Sequence, residues 1–417
     1  MFLILDTTTL ILGGILLVFV LVATFTDVFL KKPKRTENPT VASNEIHQDA
    51  SNAEQQNAEA DELERDKPTQ TTEIEEKVDK FPPLSIILTP HDKASELEQN
   101  LPLFLQQDYP SPFRVIVVYW QGESATEDVL KKHASNPHLY FTYIPESSRY
   151  MSRKKLAITV GEKAATTEWL LLTEVTCRPQ SKYWLRAMAR HASPKRNLVM
   201  GHTRYDGETP TFRRFLSAYT SLYLQREMTR GTAYRCESNA LMFRRSEFEK
   251  HDGYRGNLKY LRGEYDFIVN EYARPGSATF ENSQDGTLIE QCPTNKAWRN
   301  KLLYYMENRR HLLRKKSHRW RYNLGQTSLH ISVLAMLSAL AYGCLSGRWL
   351  LMAWAALLLF ITIAIRTWLG RRALQCMEED IPIWCVFPYE MRMLWHSIAL
   401  AFRYWHANKD DFITHKI

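Results

Sequence analysis

Along this chain the apolar positions fall into two regimes. Three stretches are apolar almost without interruption: Leu10–Phe25, Leu324–Leu345 and Trp349–Ile365. Each is long enough, as a helix, to cross a hydrocarbon core, with tilt or a modest mismatch where it is short. Only the three residues Ser346, Gly347 and Arg348 separate the last two, which predicts a helical hairpin. Between the first span and the hairpin the apolar runs shorten to strand length: 84–90, 114–120, 139–145 and 168–174. They alternate with stretches of helical character at 96–107, 126–133 and 154–165. Continuous apolar runs of that length, alternating with helices, predict an α/β domain whose mostly parallel sheet is covered on both faces. Ligands of such sheets bind beyond the carboxyl ends of the strands, here the loops after Thr89, Val118 and Thr173.

Charge orients this arrangement. Lys31, Lys32, Lys34 and Arg35 follow the first span, a basic run (residues 309–321) precedes the hairpin, and Arg366, Arg371 and Arg372 follow it. The positive-inside rule then sets the N-terminus outside and the domain in the cytoplasm, a multi-pass protein of an inner (plasma) membrane. The expected divisions are an N-terminal anchor (1–30), a linker (31–80), a cytosolic domain (81–315), a transmembrane hairpin (324–366) and a C-terminal interfacial segment (367–417). That last segment mixes Arg392, His396 and Arg403 with Trp395, Tyr404 and Trp405, which suits a helix lying on the membrane surface. Residues 36–80 hold 13 acidic and 4 basic residues and no aromatic one; such a segment cannot bury enough surface to order itself, apart from a short helix near 53–65.

The chain carries a net charge of +8, from 54 Lys and Arg against 46 Asp and Glu. A basic body fits nucleic acid, an anionic leaflet or a phosphate-bearing substrate. Beside membrane spans the basic run 309–321 reads as a lipid-headgroup anchor, and no nucleic-acid partner is expected. Six cysteines without a CxxC pair argue against a zinc site or a disulfide framework.

The ordered segments LSIILTPHD (84–92), NLPLFLQQDYP (100–110), FRVIVVYW (113–120), KKLAITVGEKAATTEWLLLTEVTCRP (154–179) with YWL (183–185), NALMFRR (239–245) and GEYDFIVN (263–270) together resemble the membrane-bound family-2 glycosyltransferases. The resemblance covers about residues 81–315. It implies a GT-A nucleotide-sugar-binding fold, inverting transfer from a nucleotide sugar to a lipid-linked or glycan acceptor, and a divalent Mg or Mn ion at the diphosphate. Donor-side positions implied by it are Pro90, Asp92, Tyr119, Trp120, Lys154, Lys155, Glu174 and Thr176, with Glu174 as metal ligand. Asp266 and Glu264 stand as candidates for the general base, and Asn239, Trp298 and Arg299 lie on the acceptor side.

The chain departs from the family pattern in three places. Tyr119 and Trp120 replace an acidic pair, Glu174-Val175-Thr176 stands for Asp-x-Asp, and Tyr265 occupies the place of the usual base. Each residue keeps two readings: the aromatic pair stacks on a base or fills a vacated pocket, Glu174 holds a metal or a salt bridge, and Asn239 faces an acceptor or caps a turn. Lys154, Lys155 and Arg153 neutralise phosphate or form a solvated turn, while Glu264 and Asp266 serve catalysis or pair with neighbours such as Arg262. The Gln-x-x-Arg-Trp signature of processive members is missing from KLLYYMENRR (301–310), which points to single transfers. The three substituted sites also leave open a GT-A-like scaffold that binds without catalysing.

Overall fold

The computed structural model describes residues 6–31, 81–145 and 152–412. The linker expected at 31–80 and its short helix therefore lie outside the described residues, apart from Lys31.

The first strand, β1 (Leu84–Leu88), turns Leu84, Ile86 and Leu88 into one apolar cluster and Ile87 into another. β2 (Phe113–Trp120) does the same with Val115, Val117 and Tyr119 against Ile116, Val118 and Trp120. A period of two with both faces covered is why these strands read as unbroken apolar runs. β3 (Leu139–Ile144) and β4 (Trp169–Thr173) run parallel to this pair, in the order β3-β2-β1-β4. The connecting helices are α2 (Ala94–Leu105), α3 (Ser124–Lys132) and α4 (Arg153–Ala164). All seven elements fall within two residues of the expected bounds.

Beyond β4 the sheet gains β8 (Leu241–Arg244), β6 (Leu198–Met200) and β9 (Ala278–Phe280), with β8 antiparallel to both neighbours. The seven-stranded sheet is mixed and mostly parallel. A second sheet, β5 (Cys177–Pro179), β10 (Thr287–Glu290) and β7 (His202–Tyr205), stands beside it. Short helices α5 (Trp184–Ala189) and α7 (Arg245–Lys250) cover the sheet. The longer α6 (Thr211–Arg230), α8 (Glu264–Tyr272) and α9 (Asn295–Asn308) complete the domain.

Among the described residues, three helices are long and apolar enough to cross a membrane: α1 (Thr7–Thr26), α10 (Lys315–Leu345) and α11 (Trp349–Cys376). α10 begins nine residues before the expected Leu324, because the basic stretch continues the helix. α11 runs eleven residues past Ile365, carrying Arg366, Arg371 and Arg372 within it. Leu16 and Val20 of α1, Leu329, Val333 and Met336 of α10, and Leu351, Ala355 and Leu358 of α11 form their shared core.

α12 (Ile383–His406) shows Trp384, Trp395, Phe402 and Trp405 to the outside. Its other face is docked. Val386, Glu390 and Met393 are buried, and Arg366 of α11 holds both carboxylate oxygens of Glu390 at 2.8 and 2.9 Å. The same guanidinium lies 3.6 Å from Asp27 and donates to the carbonyl of Ala23, so α1, α11 and α12 meet at one buried charge cluster.

α6 joins the halves. Its Phe212, Phe215, Tyr219 and Tyr223 pack in one apolar cluster with Phe29, Leu369, Ala373, Val386 and Met393. Gln326 of α10 donates to the Tyr219 hydroxyl at 2.8 Å, and Arg214 pairs with buried Glu379 at 2.9 Å.

Candidate active site

A cavity of about 950 Å³ starts at the carboxyl ends of β1 and β4 and runs between α6, α8 and α9 to α10 and α12. Lys93, at the start of α2, and Glu174 and Thr176, directly after β4, line its sheet end. Lys154 on the first turn of α4 reaches the same wall and makes an ion pair with Glu174. The Tyr265 hydroxyl donates to the same Glu174 oxygen at 3.0 Å. Burial disfavours the ionised Glu174, but Lys154, Lys93 and the Tyr265 bond outweigh it and hold the carboxyl below its usual range.

Gly263, with φ +95°, turns the chain into α8 and sets Glu264 and Asp266 on its first turn. A Cβ at Gly263 would stand 2.6 Å from the Asn308 amide, so the turn also fixes α8 against α9. Both carboxylates line the cavity and are buried. Among the described residues, the buried Glu264 Oε1 has no hydrogen-bond partner and so calls for a donor. Asp266 accepts from the Cys236 N–H at 3.3 Å and lies 4.0 Å from Arg235. Burial raises its pKa, and Arg235 only partly offsets this. Beside it the Cys236 thiol is pushed up to about 12, chiefly by burial, so it stays protonated at neutral pH.

On the far wall the Asn239 amide donates to Glu290 at 2.9 Å, and Lys301 stands 3.5 Å from the same carboxylate and 3.0 Å from the Tyr205 hydroxyl. Trp298 lines the cavity with the Arg213 guanidinium 4.7 Å from its ring and His396 of α12 at 5.5 Å.

The structure thus brings together seven residues singled out from the sequence: Lys154, Glu174, Thr176, Asn239, Glu264, Asp266 and Trp298. It sets the others elsewhere. Lys155 is fully buried, donating to the carbonyls of Asn257 and Tyr260 at 2.6 and 2.7 Å, and burial lowers its pKa to about 8. Tyr119 and Trp120 pack into the two cores, Tyr119 beside Phe141 and Tyr143, and Trp120 with Arg153 5.0 Å from its ring. Pro90 is buried outside the cavity wall, and Asp92 and Arg299 are exposed away from it. Arg213, Arg235, Glu290, Lys301 and His396 line the cavity without having been singled out for the site, His396 having been read only as part of a surface helix. They come from five separate elements and loops, and no local motif announces them.

The donor set for a divalent ion at the sheet end is one carboxylate, Glu174, with the Thr176 hydroxyl two residues on. That fits a divalent ion in the manner of sites where one protein carboxylate and substrate phosphates share it. Among the described residues, a denser convergence of metal-binding side chains (His91, Asp92 and Glu123) lies outside the cavity, with His91 bonded to Glu123 at 2.7 Å and 3.3 Å from Arg153.

No family model matches the chain, and no curated protein matches it by sequence. Among solved structures it is similar to the mannosyltransferase PcManGT from Pyrobaculum calidifontis in complex with GDP-Man and Mn2+, at 16% identity and a TM-score of 0.47, over 88% of this chain and 96% of that one. S. aureus TarS 1-349 in complex with UDP-GlcNAc is similar at 11% identity and a TM-score of 0.38, over 64% of this chain and 89% of its own. At these scores the likenesses stand beside the geometry and add no weight to it.

Proposed function

We propose that the chain is a membrane-anchored glycosyltransferase of GT-A type, akin to family 2, working at the cytoplasmic face of an inner membrane. It moves one sugar at a time, with inversion, from a nucleotide sugar to a lipid-linked or cell-envelope acceptor. The observation that carries this reading is one cavity holding Lys93, Lys154 and Glu174 at the strand ends together with Glu264 and Asp266. That is the charge pattern a diphosphate leaving group and an acceptor hydroxyl require.

Lys154 and Lys93 hold the donor's phosphates, and Lys154 leaves Glu174 as they arrive. Glu174 would hold a divalent ion, which when bound would offset charge developing on the diphosphate. Asp266, or Glu264 beside it, takes the proton of the acceptor hydroxyl as that oxygen attacks the anomeric carbon. The bond to the diphosphate breaks on the opposite face, and its electron pair leaves with the nucleotide.

The test is nucleotide release by the full-length protein in nanodiscs, across a panel of nucleotide sugars with Mg²⁺ or Mn²⁺ and a membrane-lipid extract. Turnover with at least one donor is expected; none across the whole panel overturns the proposal. A second reading, a scaffold that binds without turning over, is favoured by the Lys154 and Tyr265 bonds that already occupy Glu174. Calorimetric titration separates the two: micromolar, metal-dependent binding of UDP or GDP supports the enzyme, and its absence supports the scaffold.

A further inference from the structure

The end of the cavity far from the strands carries charge for which the donor has no use. Arg235 precedes β8, Arg309 follows α9, and Arg319 lies on the second turn of α10; all three line the wall. The Arg235 guanidinium sits 3.8 Å from the Tyr305 ring centre and that of Arg309 5.9 Å from the same ring. Arg235 is compensated by an ion pair with Glu237 and by nearby Asp266. Arg309 and Arg319 make no ion pair among the described residues, and the Arg309 Nε is buried without a hydrogen-bond partner. Burial, then the like charges of Arg319 and Arg235 against some relief from Tyr305, lowers the pKa of Arg309. Gathering guanidinium groups in a half-buried wall costs energy unless an anion joins them.

The wall beyond these groups turns apolar. Leu394, Ile398, Leu400 and Ala401 of α12 face the cavity, and Ile398 is itself 52% exposed on the helix that carries the outward Trp395, Phe402 and Trp405. A ligand lying here meets guanidinium groups at one end and membrane-surface side chains at the other.

We propose that Arg309 and Arg319, with Arg235, form a subsite for the phosphate of a lipid whose chain lies along α12. Planar guanidinium groups suit phosphate oxygens, which accept two hydrogen bonds from one fork. The subsite adjoins Asp266 through Arg235, so the bound lipid is the acceptor or carries it; that last step rests on the transferase reading, while the binding does not.

The experiment uses full-length protein in phosphatidylcholine nanodiscs, with and without phosphatidic acid as the phosphomonoester probe, and counts bound lipid by native mass spectrometry. The wild type is expected to retain phosphatidic acid over phosphatidylcholine. Arg309→Gln and Arg319→Gln should each weaken that preference about tenfold, the scale of a charge-assisted bond. Arg309→Lys should restore part of it, and Lys131→Gln, on exposed α3, should match the wild type. UDP or GDP binding should shift less than about twofold in the Gln variants, since the strand end is intact. Equal retention of both lipids, or unchanged preference in both Gln variants, overturns the subsite. Inorganic phosphate displacing phosphatidic acid at equal concentration overturns the lipid assignment in favour of a soluble anion. Lipid preference without any sugar transfer keeps the subsite and removes the enzyme.

Discussion

At the scale of single residues, the two halves of the candidate chemistry titrate in opposite directions. Glu174 is held ionised by Lys154 and Tyr265, whereas buried Asp266 resists ionisation. If Asp266 is the base, the rate must fall on acidification through a pKa above the usual aspartate range. Asp266→Asn should lower turnover about 10²–10⁴-fold. Its effect on stability should have the other sign. A carboxyl whose folded pKa is raised contributes stability below its unfolded pKa and loses it as pH rises through the folded one. Above the unfolded pKa the carboxyl is therefore a burden to the fold, so Asp266→Asn should melt no lower than the wild type. A melting temperature several degrees lower would show Asp266 to be a structural anchor. Sequence alone could name this residue, since Glu264 and Asp266 lie in a recognisable stretch. It could not foresee that Tyr265, one position from each, would reach across to Glu174, because that bond joins residues 91 positions apart.

At the scale of elements, the parallel core was legible in the sequence because β1, β2 and β4 are apolar on both faces and β3, at the edge, is still rich in aromatic and β-branched residues. The antiparallel β8 and the three-stranded sheet were not, as strands of three or four residues carry too few positions to show a period. α6 also escaped notice: it buries residues all round, from Phe212 and Phe215 to Tyr223 and Glu227, and so has no polar face to set the rhythm. The turn into α8 depends on Gly263. Gly263→Ala places a Cβ in the left-handed region and against Asn308, and should cost about 1–3 kcal/mol. Thermal unfolding checks this, and a loss of nucleotide binding in the folded variant would tie the turn to the cavity. An unchanged melting temperature would mean that α8 can enter by another route.

At the scale of the whole molecule, the long apolar helices and the sheet domain share apolar cluster, buried charge and cavity. The sequence suggested an anchor joined to a separate catalytic unit, because hydropathy marks where a helix can cross a bilayer and is silent on what it touches. Among the helices themselves, the buried Arg366–Glu390 pair is the clearest joint. Glu390→Ala leaves the Arg366 charge facing Asp27 alone and should destabilise by about 3–5 kcal/mol, while replacing both Arg366 and Glu390 by Met should recover much of the loss. Detergent-phase melting of the single and double variants reads this; additive losses would mean that the pair carries no coupling.

The exposed Ile398 on the cavity wall has a practical corollary. A hollow with such a flank does not distinguish a natural amphiphile from the surfactant used to extract the protein. Micelle-forming alkyl phosphates or sulfates would compete for the entrance, whereas neutral sugar-headed surfactants would leave its arginines free. The choice of solubilising agent is therefore itself a variable of the assay, and weak turnover in an anionic one would report inhibition.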